Sequence, residues 1–202
     1  MAGKVTMPDH KVNNVERAGI AKCPTGITGL DQITEGGLPK GRPTLVCGSA
    51  GCGKTMLALE FLVRGTTEFS EPGVFMSFEE TDKELAENVT SMGFDLPALC
   101  KRRKLFMDYV RVERGEIEES GAYNLDGLFI RLESAIEAVG AKRVVLDTIE
   151  SLFSGFSNTQ ILRAELRRLF GWLKAKGVTA IITAESGEGN LPMVSKSRRT
   201  LA

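Results

Sequence analysis

Across 202 residues the chain carries 26 basic and 26 acidic side chains, a formal net charge of zero, which argues against bulk attraction to nucleic acid or to an anionic membrane. Hydrophobic residues make up 42% and charged residues 26%, the balance of a folded domain rather than a disordered chain. Glycine is frequent, 22 residues against a usual share of about 7%, so turns and close backbone approaches are expected.

Residues 1–22 are polar and without periodicity, and read as a flexible arm. They lack the apolar core of a signal peptide, and no later stretch approaches the roughly 18 apolar residues of a membrane span. Gly26-Ile27-Thr28-Gly29-Leu30-Asp31 and Gly36-Gly37-Leu38-Pro39-Lys40-Gly41 then form a turn-rich approach. Residues 43–47 are a short apolar run that predicts a strand. Residues 53–67, with Met56, Leu57, Leu59, Phe61 and Leu62, predict a helix. After the Pro72-Gly73 break, residues 74–78 predict a second strand. Residues 81–92 predict a helix opened by Thr81 and Glu84 at capping-box spacing.

Residues 105–109 predict a third strand. Residues 125–139 predict a helix with Leu125, Leu128, Phe129, Leu132, Ile136 and Val139 on one face. Residues 144–146 read as a buried strand, 160–175 as an amphipathic helix stopped near Gly177, and 178–183 as a fifth strand. Strands alternating with helices predict an α/β fold, a mostly parallel sheet with helices on both faces. The basic run Lys101-Arg102-Arg103-Lys104 reads as a solvated loop, Arg163, Arg167 and Arg168 as a solvated helix face, and Phe170 and Trp172 as core. Cys23, Cys47, Cys52 and Cys100 form no C-x-x-C pair, and the single His10 cannot complete a zinc set. Four free thiols fit a reducing cytoplasm.

The strongest motif is Gly48-Ser49-Ala50-Gly51-Cys52-Gly53-Lys54-Thr55, which has the form G-x-x-x-x-G-K-[ST] between a strand and a helix. Its glycines let backbone N–H groups turn inward around an anion, and the helix N-terminus adds its dipole. Lys54 is placed to neutralise β- and γ-phosphate oxygens, and Thr55 to ligate Mg²⁺. Cys52 is either a small residue tolerated in the loop or a thiol under the helix dipole. Arg143-Val144-Val145-Leu146-Asp147 is a buried strand ending in an acid, the form in which Asp147 supports the metal; the plainer reading is an acid capping the next stretch of chain. Glu79 and Glu80 come directly after the second strand. In a parallel sheet that end gathers ligands, so a glutamate there could polarise water. Equally, both acids could merely favour the next helix N-terminus.

Taken together, Gly26-Ile27-Thr28-Gly29-Leu30-Asp31, Gly36-Gly37-Leu38-Pro39, the phosphate loop, Glu71-Pro72-Gly73-Val74-Phe75, Phe78-Glu79-Glu80-Thr81, Ser91-Met92-Gly93-Phe94-Asp95 and Arg143-Val144-Val145-Leu146-Asp147-Thr148 resemble the KaiC and KaiC-like circadian clock ATPases of the RecA-like group. The likeness covers residues 20–189. It implies a RecA-like P-loop sheet in which strand 178–183 lies between the phosphate-loop strand and the strand ending in Asp147. It further implies ATP and Mg²⁺ as ligands, a homo-oligomeric, hexameric ring with ATP between subunits, and clock or signalling partners. Glu79 and Glu80 would act on the attacking water, and Ser91 would touch the nucleotide.

Full family members have two tandem RecA-like halves, and this chain has less than one. Autokinase activity belongs to the second half, whose phosphorylated Ser/Thr pair has no match here. The expected organisation is therefore an arm at 1–22, an ATP-binding domain at 23–189 truncated at its C-terminal end, and a polar tail at 190–202. The absent strands would lie beside residues 43–47 and leave that strand at an edge. The leading reading is an ATPase. Its rivals are a nucleotide-binding module that no longer turns over, serving signalling or assembly, and a DNA-acting recombinase-like ATPase. The neutral charge and the absence of an aromatic-basic stripe weigh against the last.

Overall fold

The computed structural model describes residues 19–111, 125–153 and 159–185. The tail at 190–202 and most of the arm lie outside these. The sequence places the end of the arm at Lys22, but Lys22 opens a short strand β1 (Lys22–Cys23), which pairs antiparallel with β2 (Leu38–Pro39). Between them a short helix α1 (Thr28–Ile33) is fastened by Asp31, whose carboxylate accepts from Thr25 N, Thr25 Oγ1 and Gly26 N at 2.7–2.9 Å.

The main sheet contains β3 (Pro43–Gly48), β4 (Gly73–Ser77), β5 (Leu105–Tyr109), β6 (Arg143–Asp147) and β7 (Thr179–Glu185). All pairs are parallel, in the order β3-β7-β6-β4-β5. β7 therefore lies between β3 and β6, where the family resemblance implied it. Among the described residues β3 pairs with β7 alone and forms one edge. The helices are α2 (Lys54–Glu68), α3 (Asp82–Val89), α4 (Leu96–Lys101), α5 (Asp126–Val139), α6 (Ile149–Phe153) and α7 (Thr159–Ala175).

Period-two alternation in the strands divides the core into two layers. Val74, Met76, Val144, Leu146, Ala180 and Ile182 face α5 and α7, meeting Leu132, Leu166 and Leu169. Phe75, Val145 and Ile181 face the other way, against Leu59, Phe61 and Leu62 of α2 and Leu85 of α3. Central strands buried on both faces read as continuous apolar runs for this reason. Phe170 and Trp172 are half-buried against the first layer, and Trp172 stacks on Phe129 at 5.3 Å.

The helix predicted at 81–92 is shorter. Thr81 is its N-cap, with the reciprocal Thr81–Glu84 bonds of a capping box, and the chain tightens into a 3₁₀ turn at Thr90–Met92. Gly93, at φ 76°, then turns it toward α4. The basic run closes α4 and continues as exposed turn, as its charge suggested.

The end of the sheet opposite the phosphate loop is organised by Arg143, which is fully buried. Its Nε donates to Glu71 Oε2 at 2.7 Å, and its two terminal nitrogens donate to the carbonyls of Phe61 (2.9 Å) and Pro24 (2.8 Å). The guanidinium also stacks over Phe61, 4.5 Å from the ring centre. Gly65 makes room for it: a Cβ there would meet Arg143 at 2.5 Å.

Candidate nucleotide site

β3 delivers the chain to an exposed loop at residues 49–53, and α2 begins at Lys54. Gly53 occupies the N-cap position at φ 88°, a left-handed conformation that glycine adopts without a Cβ penalty. No side chain caps α2, and its first turn holds no acidic residue. The N–H groups and positive dipole end of a long helix are therefore free to meet an anion. Lys54 curls back over the loop, donating from Nζ to the carbonyls of Gly48 (3.0 Å) and Ser49 (2.9 Å). Cys52 is exposed in the same loop, and its Sγ lies so close over Gly48 that a Cβ there would be 2.4 Å away.

The next residue reaches across the sheet. Thr55 Oγ1 donates to Asp147 Oδ2 at 2.9 Å, and Thr183 Oγ1, from β7 between them, donates to Asp147 Oδ1. Asp147 is 4% exposed. Burial pushes its carboxyl above the ordinary range, while the Thr183 and Thr55 hydroxyls pull the other way. A threonine that donates its proton to a carboxylate keeps its lone pairs for a cation. Thr55 and Asp147 together are thus a donor pair whose oxygens suit a hard divalent ion.

β4 lies beside β6 with Ser77 level with Asp147, so the residues after Ser77 leave the sheet at the same end. Ser77 Oγ accepts from Glu80 N at 3.0 Å and shapes the turn that carries both glutamates. Glu79 Oε1 accepts from Thr148 Oγ1 (2.9 Å) and Ser151 Oγ (2.6 Å). Glu80 Oε2 accepts from Asn88 Nδ2 at 3.2 Å. Burial raises the Glu80 carboxyl, the charge of Asp147 raises it further, and the Asn88 amide offsets part of this.

Ser91 is exposed in the turn after α3, and no hydrogen bond among the described residues joins it to the loop. Sequence reasoning missed Thr183, Thr148, Ser151 and Glu150. Thr183 left a trace, as a hydroxyl inside the otherwise apolar run of β7. The other three belong to the segment at and after the cis peptide Asp147–Thr148, where α6 is too short to show a period. Glu150 Oε1 accepts from Glu185 N at 2.7 Å, and its Oε2 is buried with no partner among the described residues.

A parallel α/β sheet with a glycine-rich loop leading into an uncapped helix, and a buried aspartate two strands away, defines a RecA-like P-loop ATPase fold, a nucleotide-binding domain. The family model "ATPase: KaiC" matches residues 23–196, and the chain belongs to that family. The match runs past Gly189, where the motif-by-motif likeness ends. The chain is 60% identical over 179 residues to the circadian clock protein KaiC2 of Synechocystis sp., covering 89% of this chain and 32% of that protein. It is 40% identical to the circadian clock oscillator protein KaiC of Parathermosynechococcus lividus (89% and 33%). To that of Synechococcus elongatus it is also 40% identical (91% and 35%). The chain spans about a third of the length of these curated relatives. No helix among the described residues is long and apolar enough to cross a membrane.

Proposed function

We propose that the chain binds ATP with Mg²⁺ at residues 48–55 and hydrolyses it to ADP and phosphate. The observation that carries this is the gathering of Lys54, the Thr55–Asp147 pair and the Glu79–Glu80 turn at one end of the sheet. Loop N–H groups and the α2 N-terminus hold the phosphates, and Lys54 moves from its carbonyl partners onto phosphate oxygens. Thr55 and Asp147 would hold Mg²⁺, directly or through water, and the ion would neutralise charge developing on the phosphates. Glu80 is the base: its raised carboxyl suits proton removal from water, and Glu79 is already engaged on one oxygen by two hydroxyls.

The family resemblance supports a homo-oligomer, a ring of six, with ATP between subunits. It supports a role alongside clock or signalling partners. The four free thiols support a cytoplasmic location.

The test is phosphate release from Mg-ATP by the chain, its Glu80→Gln variant and its Lys54→Ala variant, with light scattering for assembly state. Glu80→Gln should lower kcat on the order of 10²–10⁴-fold while ATP still binds. ATP binding without any turnover by the wild type would make the chain a nucleotide-binding module instead.

A further inference from the structure

We propose that Thr148 and Ser151 are positioning residues for hydrolysis, acting by pinning Glu79 beside Glu80. The proposal rests on the hydrolytic reading of the site.

A glutamate side chain on the surface has several rotatable bonds and normally samples many positions. Glu79 is exposed, yet both donors converge on the same oxygen, Thr148 Oγ1 at 2.9 Å and Ser151 Oγ at 2.6 Å. The platform carrying them is fixed from two sides. Asp147, immediately before Thr148, is locked by Thr55 and Thr183. Glu150, between Thr148 and Ser151, grips the end of β7 through Glu185 N at 2.7 Å. Thr148 is itself only 8% exposed. Hydrogen bonds to an exposed carboxylate add little to fold stability. Their effect is to decide where the Glu79 carboxylate sits, on the turn it shares with Glu80.

The arrangement adds a side-chain link just beyond the last backbone bond between the two strands, Phe78 N to the Asp147 carbonyl at 2.8 Å. The metal-side aspartate and the water-side glutamates are coupled through one turn of chain, residues 147–151. Among the described residues no hydrogen bond joins the Glu79 side chain to the phosphate loop, Lys54 or the Thr55–Asp147 pair, so ATP affinity should not change. Only the geometry at the water would suffer, and misplacement of about 1 Å can cost on the order of a hundredfold in rate.

The experiment is steady-state hydrolysis by the whole chain carrying Thr148→Val, Ser151→Ala, both together, and Thr148→Ser, each also in a Glu79→Ala background. ATP affinity is read by calorimetry and Tm by thermal unfolding. The double variant should lose on the order of tenfold to a hundredfold in kcat with KM and ATP affinity within about twofold and Tm unchanged. Thr148→Ser, which keeps the donor, should retain the rate. In the Glu79→Ala background the same substitutions should have no further effect, because the group they hold is gone. Unchanged kcat in the double variant, or an equal loss with and without Glu79, overturns the proposal. A wild type that binds ATP but never hydrolyses it overturns the hydrolytic reading itself, and this role falls with it.

Discussion

Thr55 donates its hydroxyl proton to Asp147 at 2.9 Å although 92 residues separate them and β7 runs between β3, which leads into the helix of Thr55, and β6, which ends in Asp147. The contact aligns the first turn of α2 with the end of β6, and so brings the phosphate loop and the buried acid into one site. Thr55→Val should remove a donor to Asp147 and a ligand for Mg²⁺ together. ATP affinity in the presence of Mg²⁺ should fall at least tenfold, about 1.4 kcal/mol, toward the value in EDTA. Calorimetry with and without the metal checks it. An affinity as metal-dependent as that of the wild type would show that Thr55 is not a ligand.

Lys54→Ala should abolish measurable ATP binding while leaving the fold intact. The ammonium contacts two loop carbonyls and no core residue, so its removal opens no cavity. Titration calorimetry and circular dichroism of the same sample decide the matter. A folded variant that binds ATP as tightly as the wild type would rule out the phosphate-loop role.

Stability should respond to pH through Glu150. Burial and the charges of Glu185 and Glu79 hold its carboxyl above the ordinary range, against the pull of its backbone donors. The folded state therefore binds this proton more tightly than the unfolded chain. Its contribution to stability is largest at acid pH and declines as pH rises from the ordinary glutamate value, about 4.3, through the raised one. Glu150→Gln keeps an acceptor for Glu185 N and removes the buried charge. Its Tm should exceed that of the wild type at pH 7.5, and the gap should close as pH falls through this window. A gap that is constant or widens toward acid would contradict the assignment.

Mg-ATP should protect Cys52 from alkylation. The thiol is exposed in the loop that the phosphates would cover. Cys47 is also exposed but belongs to the strand rather than the loop, and serves as the internal control. Peptide mass spectrometry after brief iodoacetamide treatment gives the answer. Equal labelling of Cys52 with and without nucleotide would place the phosphates elsewhere.

What could be read from sequence was what depends on neighbours in the chain. The phosphate loop, the capping box at Thr81 and Glu84, and the apolar strands each announce themselves within a dozen residues, and the structure has them at those places. The position of β7 between β3 and β6 is different. Nothing in its residues dictates it, and only the family resemblance carried it. Contacts that assemble the site over long separations were silent. Thr183 and Asp147 are 36 residues apart, and Thr148 and Glu79 are 69. The pair β1 and β2 escaped because two-residue strands have no alternation to detect. Arg143 opens the stretch read as a buried strand, but the partners that hold its charge there include Glu71 and Pro24, which reach it from distant parts of the chain.

That buried guanidinium has a bearing on where the folding unit begins. Pro24 lies upstream of every strand of the main sheet, yet its carbonyl is one of three oxygens around an ion with no access to water. Trimming the chain through Pro24 would leave the sheet, the loop and the glutamates formally complete. It would also strip a ligand from a cation that cannot rehydrate, at a cost of about 1–3 kcal/mol. The minimal unit able to present this site is therefore longer at its amino end than the loop and acidic motifs imply, and includes a segment at the opposite end of the sheet from the loop.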